Sequence, residues 1–137
     1  MRLRLVNIPF VDEGPQSRCR VVALEMDGKC PVLADLLDWK RNAKADFKKI
    51  VKVMRYVGQL GRVRNEKHVK KSDNPRHGEI YEMRAHKGSA RVMFFYDERG
   101  QAIAVCTNTY FKTKPSRQEQ DETFELCARM RTLYKNG

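Results

Sequence analysis

Glu79-Ile-Tyr-Glu-Met-Arg-Ala85, His86-Lys-Gly-Ser89 and Ala90-Arg-Val-Met-Phe-Phe-Tyr96 follow one another without a gap, and the rest of the chain is organised around them. In the first segment Tyr81 and Met83 alternate with Glu82 and Arg84. That period of two is a strand with two unlike faces. The third segment, Arg91 to Tyr96, is apolar on both faces, as a central strand is. The short polar segment between them is a hairpin turn. Asp97-Glu-Arg-Gly100 is a second hairpin connection, with glycine last. It leads into a third strand over Gln101 to Phe111. The centre of the chain is therefore expected to be an antiparallel three-stranded meander.

Working downstream, Pro115 and Ser116 open a helix, and Ser116 and Glu119 have capping-box spacing. This helix is expected to run to about Tyr134, with Phe124, Cys127, Ala128 and Leu133 available for packing. Upstream, Arg62 to His77 reads as a basic loop broken at Asn74-Pro75 and Gly78. Before it, Phe47, Ile50, Val51, Met54 and Val57 make one apolar stripe at helical spacing, with Gly58 and Gly61 at its end. A further helix starts at Pro31 and carries Leu33, Leu36, Leu37 and Trp39. Arg2 to Phe10 and Arg18 to Met26 are extended, and Asp12-Glu-Gly-Pro15 between them is a turn signal. The predicted order is N-terminal β-hairpin, helices, antiparallel meander, C-terminal helix. That is an α+β architecture. The 137 residues fit a single domain, 1–137, of which 1–30 form the hairpin.

The charge is distinctive. Lys plus Arg number 28 against 17 Asp plus Glu, a net charge of +11. Between Lys40 and Lys71 stand twelve cations and two acids, so nearly all the excess lies in that stretch. A field so localised draws polyanions, which makes RNA the expected partner. Lys44, Lys48, Lys52 and Arg55 lie off the apolar stripe of their helix. They form either a solvated surface or an RNA-facing rail. No apolar run approaches the length of a membrane span, and no signal-peptide core is visible, so the expected setting is the cytoplasm with no membrane partner. The four cysteines, Cys19, Cys30, Cys106 and Cys127, lack zinc-ligand spacing. No metal or cofactor is expected, and Cys106 and Cys127 read as small core residues.

Phosphate-cradling glycine loops, zincin motifs and nucleophile elbows are absent from the sequence. His68, His77 and His86 form no evident pair. What remains is cationic. Arg84 ends the first meander strand and Arg91 begins the second, while Tyr110, Lys112 and Lys114 end the third. In a meander, strands one and three run the same way, so these ends gather. Each arginine alone reads first as a surface partner for Glu82 or for a helix carboxylate. Together they suit RNA cleavage by the RNA's own 2′-OH. Arginine matches phosphate oxygens, lysine can move a proton, and tyrosine can stack on a base or donate.

Gly78-Glu-Ile-Tyr-Glu-Met-Arg84, Ala90-Arg-Val-Met-Phe-Phe-Tyr96 and Tyr110-Phe-Lys-Thr-Lys-Pro115, followed by a closing helix, resemble the RelE/HigB-like toxins, most closely their phage-derived branch. The resemblance runs from about Val32 to Tyr134. It implies a RelE/ParE-like fold and the toxin of a type II toxin–antitoxin system. Such a toxin is a ribosome-associated mRNA endoribonuclease, held inactive by a helix-turn-helix antitoxin and needing no metal. On this resemblance Arg84 and Arg91 match the two strand arginines and Lys112 the first strand-end lysine. Thr113 stands where a second lysine is usual, with Lys114 one place later. Tyr110 is expected beside them, and Lys70 and Lys71 as further phosphate contacts. Two other readings stay open: a ParE-like toxin that binds DNA gyrase without nuclease activity, and a non-catalytic nucleic-acid-binding phage accessory protein.

Overall fold

The computed structural model describes residues 1–11, 17–97 and 102–137. Six strands, β1 (Leu3–Asn7), β2 (Arg20–Met26), β3 (Val69–Lys71), β4 (Ile80–Arg84), β5 (Ala90–Asp97) and β6 (Ile103–Phe111), form one sheet in the order β1-β2-β6-β5-β4-β3. Three helices, α1 (Pro31–Asn42), α2 (Lys44–Leu60) and α3 (Arg117–Asn136), complete the α+β arrangement expected from sequence. The meander β4–β5–β6 is antiparallel throughout. Its second connection falls on residues 98–101, outside the described residues, as does the Asp12–Pro15 turn of the N-terminal hairpin.

Helices cover both faces. On the front face α1 and α2 pack Leu36, Trp39, Ile50, Met54 and Val57 against Val21, Met83, Val92, Phe94 and Cys106 of the sheet. On the back face α3 packs Phe124, Cys127 and Met130 against Val22, Leu24, Ile80, Met93, Phe95 and Val105. Two layers of core, one on each face, are what fix the sheet. The α2 stripe is buried as its spacing predicts, with Phe47 half-buried at its start. Gly61 ends α2 at φ +75, a left-handed conformation that a side chain would strain. The Ser116 side chain accepts a hydrogen bond from Glu119 N, the cap foreseen for α3.

Four local features depart from the sequence reading. β1 and β2 do form an antiparallel pair, but β2 also lies parallel to β6, which makes the sheet mixed. Pairing across so long a sequence gap leaves no local signal. Residues 62–77 are not simply a loop, because β3 lies along β4 and a 3-10 turn covers Pro75–His77. Ser72 Oγ and His77 Nδ1 lie 2.7 Å apart and the His77 ring lies tilted 6.2 Å from that of Phe124, so this histidine is a packing element. Finally, Leu133 is exposed, and Met130 takes its expected place in the α3 seam.

Candidate active site

Strand register assembles the site. Arg84 of β4 lies directly opposite Arg91 of β5, and Arg91 lies opposite Tyr110 of β6. Opposed residues share a face. The three therefore form a row across the sheet on its back face, just beyond the start of α3. β3 adds Lys70, which lies opposite Glu82 on the same face. A bulge in β6 aligns the row: Met93 pairs with Asn108, yet Phe94 pairs with Cys106. Thr107 is the extra residue, held by Thr107 Oγ1 donating to Asn108 Oδ1 at 2.7 Å. Beyond it Asn108 Nδ2 donates to Thr123 O of α3 on the back face, and Thr109 Oγ1 donates to Asp35 of α1 on the front. Tyr110 consequently turns to the back.

Glu82 sets the electrostatics. It is fully buried, and its Oε1 lies 3.3 Å from Arg84 Nε and 3.6 Å from Arg91 Nε. Its Oε2 accepts from Gln120 Nε2 of α3 at 3.1 Å. The pairing of the arginines with Glu82 is thus a buried contact, not the surface pair that sequence allowed. Arg91 is only 7% exposed, and its Nη1 donates to Gly88 O at 2.8 Å and Ala90 O at 3.0 Å. Burial pulls the Arg91 pKa down, Glu82 opposes that shift, and Arg84 adds to it. A guanidinium starts so high that it stays charged at neutral pH. Burial, with Glu82, pushes Tyr110 up to about 12 against the pull of Arg91 and Arg84, so it remains a phenol at neutral pH.

The turn under Arg91 is held from the front. Asp46, in the first turn of α2, accepts from Ser89 N at 2.6 Å, and Lys49 Nζ donates to Lys87 O at 3.1 Å. Gly88 permits that approach, since a Cβ there would lie 2.9 Å from Ala85 Cβ and 3.0 Å from Asp46 Oδ1. Clefts flank the row on both sides. One, of about 290 Å³, is lined by Lys70, Tyr110, Lys112, Arg117 and Gln120 among others. The other, of about 320 Å³, is lined by Arg84, Arg91, Glu66, Lys67 and His86 among others. A larger cleft of about 540 Å³ lies at the opposite ends of β4 and β5, where Glu79 and Asp97 accompany Arg62, Arg131 and Lys135. Its mixed charge suits a phosphodiester less well than the row does.

Arg84, Arg91, Tyr110, Lys112 and Lys70 are thus brought together. Lys112 N donates to Ser89 O at 2.8 Å, which ties the strand end to the β4–β5 turn. Lys114 is exposed and lines neither cleft. Lys71 points away from Lys70 along the strand and lies 3.9 Å from Glu79. Lys44, Lys48, Lys52 and Arg55 are all exposed on α2, across the sheet from the row. Arg55 Nη2 donates to Phe10 O at 3.2 Å and Lys52 Nζ lies 6.0 Å from the Tyr56 ring. Sequence reading missed Glu82, Gln120 and Asp46 as parts of the site. The alternation in β4 does place Glu82 beside Arg84, but only the docking of α3 buries it.

Residues 34–123 match the family described as "Phage derived protein Gp49-like (DUF891)". The chain belongs to this family. It is a toxin-like, phage-derived family within the RelE/HigB-like superfamily, as the resemblance in the meander implied. The match starts inside α1 and ends inside α3, so it spans the whole Gp49-like meander and the row on it. The β1–β2 pair lies outside the matched residues. No curated protein shows significant similarity to the chain. Among the described residues no helix is long and apolar enough to cross a membrane, and no three His, Cys, Asp or Glu side chains gather as metal ligands.

Proposed function

We propose that this chain is the toxin of a type II toxin–antitoxin pair, a single RelE/HigB-like domain over 1–137 with an added hairpin at 1–30, and that it cleaves mRNA on the ribosome. One observation carries this reading: Arg84, Arg91 and Tyr110 stand in register on three adjacent strands, with Lys112 and Lys70 at the margin. Arg84 and Arg91 bind the non-bridging oxygens of one phosphodiester and stabilise the charge that builds as the 2′-oxygen attacks phosphorus. Tyr110 keeps its proton at neutral pH, so it can donate to the leaving 5′-oxygen or carry a stacked base. Lys112 accepts the 2′-OH proton when it carries the free amine. The P–O5′ bond breaks as the P–O2′ bond forms, leaving a 2′,3′-cyclic phosphate and a 5′-OH. These side chains do this work directly, and no metal enters the step. Lys44, Lys48, Lys52 and Arg55 hold ribosomal RNA, and a helix-turn-helix antitoxin restrains the protein in the cytoplasm.

The test is induction of the chain alone. Growth and translation should arrest, and mapped mRNA ends should be 2′,3′-cyclic phosphate or 3′-phosphate, with cleavage surviving chelation on ribosomes kept assembled. Ends carrying 3′-OH would overturn the chemistry. Arrest with intact mRNA and inhibited gyrase would favour the gyrase-binding alternative.

A further inference from the structure

A carboxylate at the centre of a phosphate-binding row needs an explanation, because it opposes the ligand. Glu82 is fully buried on the back face beside the apolar Ile80, Met93 and Phe95, with Lys70 opposite it on β3. Stability does not account for it, since a buried ion pair is often no better than apolar residues of the same volume. Its contacts are specific instead. One oxygen, Oε1, lies within ion-pair distance of the Nε corner of both arginines, at 3.3 and 3.6 Å, without hydrogen-bond geometry to either. The other is held by Gln120 at 3.1 Å. Among the described residues Arg84 makes no other ion pair and no side-chain hydrogen bond, which leaves its two terminal nitrogens open toward the cleft it shares with Arg91. Arg91 spends Nη1 on the turn carbonyls, which leaves Nη2.

We propose that Glu82, itself oriented by Gln120, is the positioning residue of this site: its buried carboxylate holds Arg84 and Arg91 by their Nε corners so that their remaining donors converge on one phosphodiester. This rests on reading the row as the site of RNA cleavage. The carboxylate never touches the RNA. It fixes two long side chains that would otherwise each sample many rotamers, and correct placement of donors is worth large factors in rate. It also lowers the net positive charge of the row, so its removal should strengthen RNA binding while weakening cleavage. A residue that merely stabilises the fold would not separate the two.

The experiment compares the full wild-type chain with Glu82→Gln and Gln120→Ala. Single-turnover cleavage of mRNA on purified ribosomes is paired with binding to the same complexes and with the Nε–H resonances of Arg84 and Arg91 by NMR. Glu82→Gln should slow cleavage of bound complex on the order of 100-fold, with binding equal or tighter, and should move both Nε–H resonances to the position of unpaired arginine. Gln120→Ala, at a part-exposed helix position, should act in the same direction by about 5-fold, and it decides the matter if Glu82→Gln fails to fold. Wild-type cleavage in Glu82→Gln, or proportionate loss of binding and cleavage, overturns the proposal. Arginine resonances unmoved by Glu82→Gln overturn it even if the wild type cuts no RNA, whereas a wild type that cuts nothing while those resonances do move defeats only the nuclease reading.

Discussion

The back face of the sheet and the outer face of α2 both present a set of cations, yet they are held in opposite ways. Arg84 and Arg91 are anchored by Glu82, by turn carbonyls and by strand register. Lys44, Lys48 and Lys52 are exposed side chains at successive helical turns, and Arg55 alone among the four reaches a backbone carbonyl, Phe10 O. Fixed donors can be aimed at a charge that develops in a transition state. Mobile ones contribute through the field, which salt screens and which gives affinity and encounter rate. On the proposed function, the same residue types divide into chemistry and attraction according to how their ends are tethered.

The largest expected effect tests that division directly. Arg91→Lys keeps the charge and loses the fork, and should slow single-turnover cleavage by about 100-fold or more. A wild-type rate would place Arg91 in the same category as the α2 cations. Arg91→Ala is a poorer probe, because it strips a partner from buried Glu82. It should lower unfolding free energy by about 3 kcal/mol, read as a shift in denaturant midpoint.

Next in size is Tyr110→Phe, which should cost on the order of 10-fold in cleavage if the phenol donates a proton. The pKa of Tyr110 in the folded chain is raised to about 12, above the ordinary value near 10. The protonated phenol is thus favoured by folding. Its contribution to stability is complete below about pH 10 and fades as pH climbs through about 12. Ultraviolet titration should accordingly show the same tyrosinate amplitude below about pH 11 in wild type and Tyr110→Phe. A smaller amplitude in the variant would mean that Tyr110 ionises within that range, and the donor role would go.

Lys48→Gln with Lys52→Gln should leave the cleavage rate of bound complex unchanged. The log–log salt slope of ribosome binding should fall by roughly one unit for each phosphate that loses its lysine, and thermal stability should change by less than about 0.5 kcal/mol. An unaltered slope would make that face a solvated surface. The smallest effect is expected from Lys114→Gln. Lys114 stands outside both clefts, and cleavage close to the wild-type rate would leave Lys112 as the only strand-end lysine at the site.

Sequence made the locally encoded parts legible. The α2 stripe, the Ser116 cap, the alternation in β4 and the Arg84–Arg91 pairing across a short turn all depend on residues close in the chain. Two other kinds of feature were not legible. The β2–β6 pairing and the placement of β3 are long-range, and three residues of Val69–Lys71 are too few to show a period. The burial of Glu82 depends on where α3 docks. An alternating strand says which residues share a face, but it is silent on what covers that face.

Thr107 has a consequence of its own. It is one inserted residue in an alternating strand, and everything after it in β6 is read out one step late. Were Thr107 paired in a regular ladder rather than set out as a bulge, Thr109 would stand beside Arg91 and Tyr110 would face α1. A single-codon deletion of Thr107 would remove the bulge and leave Asn108, Thr109 and Tyr110 opposite the same partners on the same faces. With Thr107 in the strand, the face that Tyr110 shows is therefore set by whether the ladder absorbs that one residue as a bulge.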